Sequence, residues 1–273
     1  MAVVEFAQWQ ASASPTARRL REGAGLLSAM LPSGTPVAVP VMEATGVTGE
    51  GVHHVDVLAA NLAAARVAVA QAGGGPLITV GGDCGVDLAP VEAAHRRYGA
   101  GLAVVWFDAH ADLNTPRSSP SGAFNGMVLR TLLGEGPSGL LPENPLAPSQ
   151  VVLAGTRDLD RGEIDCIDAR GIAVVPPEQV ARPDAVGDAV RAGTTAVHLH
   201  VDLDVLDPDI VGSVGTPVPG GLTADELLSS VAALAARFAV AGLTIAEYQP
   251  TDSRDQDLLT GLVPKLVCSA GLA

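Results

Sequence analysis

The sequence has few cationic residues for its length. Lysine and arginine together number 16 against 30 acidic residues, which gives a net charge of −14 over 273 positions. Nucleic acid and anionic membrane surfaces would repel such a chain, so neither is expected as a partner. Apolar residues make up 48% of the chain and charged residues only 17%, which is enough for a large buried core. The composition favours a globular protein that accepts a cationic small molecule.

Cysteines and targeting segments are also scarce. The three cysteines are scattered and odd in number, which argues against a disulfide framework. The first residues lack the basic start and apolar core of a secretory signal. The longest apolar stretch, 227–246, contains Arg237 and Gly242 and is interpreted as a helix followed by a strand, not as a membrane span. We therefore predict a cytoplasmic protein.

Short apolar runs alternate with alanine-rich segments along most of the chain. The runs read as buried strands, and segments such as 16–30 and 55–72 read as helices. This alternation predicts an α/β fold with a mainly parallel sheet and helices on both faces. We find no internal repeat and no long low-complexity linker, so residues 1–273 are expected to form one domain. The predicted strands lie at 3–6, 77–80, 102–105, 151–154, 172–175, 196–201 and 242–246.

Two of the predicted strands are followed by closely spaced acidic residues. Asp108, His110 and Asp112 occupy every second position after one strand, and Asp202 and Asp204 follow another. The carboxyl ends of parallel strands are where α/β sheets carry their chemistry. Without a cation, so many carboxylates at one edge would repel one another by several kcal/mol. The pattern therefore predicts a site for more than one metal ion.

These two stretches, together with Gly-Gly-Asp-Cys at 81–84, resemble the three metal motifs of the arginase and agmatinase ureohydrolase family. The resemblance runs from about residue 77 to 250. It implies a three-layer α/β/α fold with a mainly parallel, roughly eight-stranded sheet. It also implies a catalytic domain with two Mn²⁺ ions, whose shared hydroxide attacks a guanidinium carbon; Zn²⁺ or Co²⁺ is the alternative, because a thiolate ligand favours Zn²⁺.

The resemblance also implies a ligand for each metal motif. Asp108 and Asp202 would bridge the two ions. Asp112 and Cys84 would complete the coordination of one ion, and His110 and Asp204 that of the other. His198 and His200 share strand parity with Asp202, so one of them could orient a carboxylate ligand.

The segments that bind the amino-acid end of the substrate in arginases have counterparts here. Asn114 and Ser121 resemble the residues that hydrogen-bond the α-carboxylate, and Asp160 the one that meets the α-ammonium. Thr216 and Glu247 resemble the residues that hold the guanidinium group. Two further candidate contacts come from the segment 156–163, namely Asp158 and Glu163. The resemblance thus implies a guanidino amino acid as substrate, in preference to agmatine.

Two residues depart from the family pattern. Cys84 stands where the family has a histidine ligand, and Asn125 stands where arginases have a histidine that acts as general acid. Asparagine cannot carry protons at pH 7, and the guanidinium of arginine has a pKa above ~12, so arginine should be a poor substrate. A less basic N-hydroxyguanidine suits the site better, with Asp112 relaying a proton and Glu247 and Asn125 assisting. The chain is similar in this respect to the branch of the family that hydrolyses Nω-hydroxy-L-arginine to hydroxyurea and L-ornithine in D-cycloserine biosynthesis.

Three alternatives remain open from the sequence. The chain could be an ordinary arginase that produces urea and L-ornithine, or an arginase-like binding protein without activity. A third possibility makes Cys84 a covalent nucleophile, although it leaves the acidic clusters without a function. Because the sequence lacks the extended C-terminal tail through which arginases commonly associate, a monomer is expected.

Overall fold

The computed structural model describes residues 2–32 and 36–273, and its centre is a single eight-stranded sheet. The strand order is β2-β1-β3-β8-β7-β4-β5-β6, and every neighbouring pair is parallel. The predicted parallel sheet is confirmed. The strands are β1 Ala2–Phe6, β2 Val37–Ala38, β3 Leu77–Gly81, β4 Leu102–Phe107, β5 Val151–Ala154, β6 Ala173–Val175, β7 Ala196–Asp202 and β8 Ala239–Ala246.

Helices cover both faces of the sheet. One cluster of buried side chains packs the helices α2, α3, α4 and α5 against one face of the sheet. A second cluster packs α1, α6, α7, α8 and α9 against the other face, which confirms the three-layer architecture. Within the described residues no helix has both the length and the apolar character needed to cross a membrane. The helices are α1 Leu20–Met30, α2 Val55–Gln71, α3 Leu88–Tyr98, α4 Val128–Leu132, α5 Arg161–Arg170, α6 Pro177–Val180, α7 Ala185–Ala189, α8 Ala224–Arg237 and α9 Ser253–Ser269.

The central strands are apolar on both sides because helices cover both sides. All six residues of β4 are buried, and they alternate between the two clusters: Val104 and Trp106 face one, Val105 and Phe107 the other. Such a strand appears in sequence as a continuous apolar run, which is why β4 could be predicted. The period-two alternation also decides that Trp106 and Asp108 share a face.

A local sequence signal accounts for the start of α8. The helix predicted from Thr223 starts as a capping box, with Glu226 N donating to Thr223 Oγ1 at 3.2 Å and Thr223 N donating to Glu226 Oε2 at 2.8 Å. Strand β8 begins at Ala239, three residues before the predicted start. Strand β2 was not predicted, since two residues are too few to carry a periodic pattern.

The sheet order brings the ends of four strands together. Strands β3, β8, β7 and β4 are adjacent in the middle of the sheet, and their carboxyl ends lie at one edge. Cys84, Glu247, Asp202 and Asp108 each lie at or within three residues of such an end. A crevice at the carboxyl edge of a parallel sheet is the usual position of a functional site in this class of fold.

Candidate metal centre

One group of metal-ligating side chains forms around His110. Its Nδ1 lies 3.1 Å from Asp204 Oδ2 and 3.4 Å from Asp108 Oδ1. One ligand atom from each of these three residues lies within 4.8 Å of the others. The loop is held by its own backbone, since Asp108 Oδ1 accepts from His110 N at 2.7 Å and Asp204 Oδ1 accepts from Ala109 N at 3.1 Å.

A second group shares Asp108 with the first. Cys84, Asp202 and His200 join it, and one ligand atom from each of the four residues again lies within 4.8 Å of all the others. All four side chains are buried. Cys84 Sγ donates to Asp202 Oδ2 at 3.2 Å, and Asp202 Oδ1 accepts from Asp204 N at 2.7 Å. The two groups therefore meet at Asp108 and at the linked pair Asp202 and Asp204.

The acidic groups of this centre are electrostatically frustrated. Burial, followed by the neighbouring Asp108, raises the pKa of Asp112 well above its usual range. Burial and Asp204 raise the pKa of Asp202 in the same way, and burial with Asp112 and Asp202 raises the pKa of the Cys84 thiol. His110 is the counterpart: burial lowers its pKa, but hydrogen bonds to Asp108 and Asp204 outweigh burial and raise it.

Two residues at the centre adopt left-handed backbone conformations, which residues other than glycine rarely adopt. Asp112 has a φ of 53° and Glu247 a φ of 65°. Left-handed conformations at such residues cost of the order of 1–3 kcal/mol and concentrate at functional sites. Asp112 Oδ2 is buried and has no hydrogen-bond partner among the described residues. An unpartnered carboxylate oxygen beside two groups of ligand atoms fits a bound cation, because a cation would replace the missing partner.

A cavity of about 210 Å³ opens onto this centre. Its inner wall is buried and consists of Cys84, Asp112, Asp202 and Asp204. The other lining residues include most of the predicted contacts of the amino-acid end, of which Asn114 and Glu163 are buried and Ser121 and Asp160 are exposed. These other lining residues are Ala13, His110, Asn114, Ser121, Asn125, Gly126, Asp160, Glu163 and Thr216.

Two of the predicted contacts of the amino-acid end, Asn114 and Asp160, are hydrogen-bonded to each other. Asn114 Nδ2 donates to Asp160 Oδ2 at 2.8 Å, and Asn114 Oδ1 accepts from Ser118 Oγ at 2.8 Å. Asp160 is the N-cap of α5, and Glu163 accepts from Asp160 N at 2.9 Å and from Leu113 N at 3.0 Å. Glu163 therefore ties the start of α5 to the loop that follows the metal motif.

The remaining predicted contacts differ in position. Thr216 Oγ1 lies 3.4 Å from Asp204 Oδ2 on the cavity wall, and Asn125 also lines the cavity. Asp158 and Glu247 do not line it. Asp158 is 65% exposed and lies 3.8 Å from His110 Nε2, while Glu247 is buried behind Cys84, whose backbone N donates to Glu247 Oε1 at 3.2 Å.

Sequence reasoning missed two residues that hydrogen-bond the side chains of the centre, Asp87 and Trp106. Asp87 accepts from Thr244 Oγ1 at 2.6 Å, and its oxygens lie 2.8 Å from His198 Nε2 and 3.0 Å from His200 Nδ1. Trp106 Nε1 donates to Asp108 Oδ2 at 3.0 Å. Two histidines at alternate positions of a buried strand were the available signal, since buried polar rings need partners.

Comparison with protein families finds a match over nearly the whole chain. The model of the arginase family matches residues 11–270. Staphylococcus aureus arginase is 36% identical over 184 residues, which are 64% of this chain and 60% of that enzyme. Bacillus caldovelox arginase is 36% identical over 199 residues, 69% of this chain and 66% of that enzyme. The chain thus spans less than two thirds of these relatives' lengths.

Solved structures match over a longer range. The structure of Bacillus cereus arginase has a TM-score of 0.82 and 25% identity, covering 98% of this chain and 96% of that one. Entamoeba histolytica arginase has a TM-score of 0.84 at 24% identity, with 99% and 97% of the two chains covered, which supports the shared fold.

Proposed function

The chain belongs to the arginase family, and we propose from this premise that it is a dinuclear metal-dependent hydrolase of a guanidino amino acid. One observation carries the proposal. Two groups of ligand atoms share Asp108 and lie beside a cavity whose wall includes Asp112, a buried carboxylate with an unpartnered oxygen. A guanidinium is cationic, which suits a cavity bordered by carboxylates.

We propose two Mn²⁺ ions as cofactor. One ion would be held by Cys84 and Asp112 and the other by His110 and Asp204, with Asp108 and Asp202 shared between the two. Two divalent cations at these residues would lower the pKa of a water between them toward neutrality and so supply hydroxide near pH 7. Carboxylate and imidazole suit Mn²⁺, whereas the thiol of Cys84 favours Zn²⁺ or Co²⁺ as alternatives.

The residues around the cavity would bind and orient the substrate. Asp160 would meet the α-ammonium group, and the neutral donors of Asn114 and Ser121 the α-carboxylate. Thr216 on the cavity wall would contact the guanidine nitrogens, whereas Glu247 is buried behind Cys84 and does not line the cavity. Agmatine has no carboxylate, so it would leave the donors at Asn114 and Ser121 unpaired.

The finer proposal is that the substrate is Nω-hydroxy-L-arginine. Asn125 lies on the cavity wall, and its amide would not supply the proton that the ornithine nitrogen needs when it leaves arginine. A hydroxyguanidine is less basic and depends less on that donor, and its oxygen could be bound by the amide of Asn125, which both donates and accepts. Asp112 would accept a proton from the attacking water and pass it to the departing ornithine nitrogen. The products would be hydroxyurea and L-ornithine, and a role in antibiotic biosynthesis belongs to the same proposal.

The test is a comparison of three substrates. Protein loaded with Mn²⁺ is assayed on L-arginine, agmatine and Nω-hydroxy-L-arginine, with ornithine, urea and hydroxyurea quantified. We expect hydroxyarginine to be preferred and Asp108→Asn to be inactive on all three. A tenfold or greater preference for L-arginine in kcat/KM would return the chain to the ordinary arginases.

Two further results would contradict the proposal at its base. Protein with two ions bound that turns over none of the substrates would be a binding protein. Turnover that survives complete metal removal would favour Cys84 as a covalent nucleophile.

A further inference from the structure

The ring of His200 is held in place beside the metal centre. It is 0% exposed and stacks on Trp106, with ring centroids 3.5 Å apart and planes 5° from parallel. His200 pairs with Trp106 on one side and with Thr244 on the other, in the middle of the sheet. A ring held in this way has one orientation, so the direction of each nitrogen is determined by the fold.

Only one of its two nitrogens has a partner. Nδ1 lies 3.0 Å from Asp87 Oδ2, whereas Nε2 is buried and has no hydrogen-bond partner among the described residues. A buried polar atom without a partner costs about 1–3 kcal/mol, and native proteins rarely leave one. The position of Nε2 therefore requires an explanation.

Asp87 determines which nitrogen carries the proton. An ionised carboxylate only accepts hydrogen bonds, so His200 Nδ1 must donate to it, and the lone pair of the neutral ring is then on Nε2. Burial raises the pKa of Asp87, but His198 and the hydrogen bonds from both histidines outweigh burial and lower it. Thr244 Oγ1 donates to the other oxygen at 2.6 Å and fixes the carboxylate.

A lone pair on Nε2 would face other electron-rich atoms. A ring nitrogen of His200 lies in the group with the sulfur of Cys84 and carboxylate oxygens of Asp108 and Asp202, all within 4.8 Å of one another. A carboxylate that orients one imidazole nitrogen while the other binds a metal is the standard arrangement around metal-binding histidines.

We propose that His200 Nε2 is a ligand of the metal ion at Cys84, and that it supplies from strand β7 the imidazole that Cys84 does not supply. Asp87 is the positioning residue, and the ligand set becomes a sulfur, an imidazole nitrogen and carboxylate oxygens. The inference rests on the proposed metal centre but not on the identity of the substrate. It also accounts for the residue at position 84: with an imidazole supplied by strand β7, the turn after β3 needs to supply only a sulfur.

The chain offers a matched control for a variant of His200. His198 is on the same strand and the same face, is also buried, and contacts the same carboxylate, yet it does not belong to either group of ligand atoms. Replacing either histidine by glutamine removes one buried imidazole together with its contact to the Asp87 carboxylate, which His198 Nε2 approaches through both oxygens. Only His200→Gln should remove a metal ligand.

The first experiment measures metal binding without reference to activity. Mn²⁺ affinity and stoichiometry are determined by chelator competition and elemental analysis for the wild type, His200→Gln and His198→Gln, with circular dichroism to check folding. We expect His200→Gln to weaken one of the two ions by more than ~100-fold, since contacts outside the ligand set contribute ~10–100-fold. His198→Gln should stay within about tenfold of the wild type.

A second measurement needs no variant to fold. In Co²⁺-loaded wild type with ¹⁵N-labelled histidine, the N–H protons of metal-bound imidazoles are strongly shifted and recognisable. We expect two such protons, one from His110 and one from His200, the latter slow to exchange because it donates to buried Asp87.

The outcomes separate this inference from the proposed function. If two ions bind but only one shifted imidazole proton appears, or His200→Gln binds both ions as tightly as the wild type, His200 is no ligand while the hydrolase proposal stands. If the wild type binds no ion, both fail together.

Discussion

Asn125 bears directly on the proposed chemistry, because a histidine at this position could transfer a proton and an asparagine cannot. It lies on the cavity wall with Asp112, and its backbone N is fixed by donating to Ala11 O at 2.9 Å. The side chain can hydrogen-bond but cannot exchange protons at neutral pH. The preference between a guanidine and a hydroxyguanidine should therefore depend on this one position.

Replacing Asn125 by histidine should restore a proton donor. General acid catalysis contributes typically ~10²–10⁴-fold, so we expect kcat/KM for L-arginine to rise at least tenfold in Asn125→His, with a smaller change for Nω-hydroxy-L-arginine. The gain should decline above a pH near 6.5 as the imidazole loses its proton. The control is Asn125→Gln, which keeps the amide and should gain nothing. Equal changes on both substrates would show that residue 125 does not determine the choice between them.

At the scale of secondary structure, the predictable parts were those with a periodic or motif signal. The apolar run 102–105 predicted β4, and the spacing after it predicted that Asp108 and Asp202 meet at one edge. The partners of His198 and His200 could not be predicted, because Asp87 reaches them from a 3₁₀ turn on another element. Strand parity placed both histidines on one face but could not tell which one approaches Cys84.

Glu163, near the start of α5, should make the stability of the fold depend on pH. Burial raises the pKa of Glu163 to about 7, although hydrogen bonds from the backbone of Asp160 and Leu113 oppose this. In the unfolded chain the pKa of glutamate is about 4.3, so between these values the folded state holds a proton that the unfolded state has lost. The stabilising contribution is complete below the lower pKa and is lost as the pH rises through about 7.

Removing this carboxyl group should remove that part of the pH dependence. Between pH 4 and pH 8 the wild type should lose on the order of 3 kcal/mol of unfolding free energy relative to Glu163→Gln. Urea unfolding in the presence of a chelator at several pH values measures it. The control is Glu226→Gln, in the capping box of α8 close to solvent. A difference that is constant with pH would contradict the assignment.

At the scale of the whole molecule, the chain concentrates negative charge where the sheet is most buried. Its net charge is −14, and the carboxyl groups of Asp108, Asp112 and Asp202 are at most 3% exposed. Their raised pKa values mean that the metal-free fold pays for each ionised form by desolvation and repulsion. A cation at the centre would reverse this effect, so folding, metal binding and pH should be linked.

The stabilisation by Mn²⁺ should therefore increase with pH. Because the buried acids have raised pKa values, the metal-free protein is most stable when they are protonated, and it loses stability as the pH rises and they ionise. The ions bind the ionised forms, so protons compete with them at low pH. A ligand that binds only the folded state stabilises it in proportion to the logarithm of its excess over Kd.

We expect the rise in Tm on adding Mn²⁺ to be several-fold larger at pH 8 than at pH 5.5. Thermal unfolding of wild type with Mn²⁺ and with chelator across this range measures it, and Asp108→Asn, which lacks the shared carboxylate, should show little rise at any pH. A rise in Tm that is the same at pH 5.5 and pH 8 would mean that Mn²⁺ binds somewhere other than these buried acids.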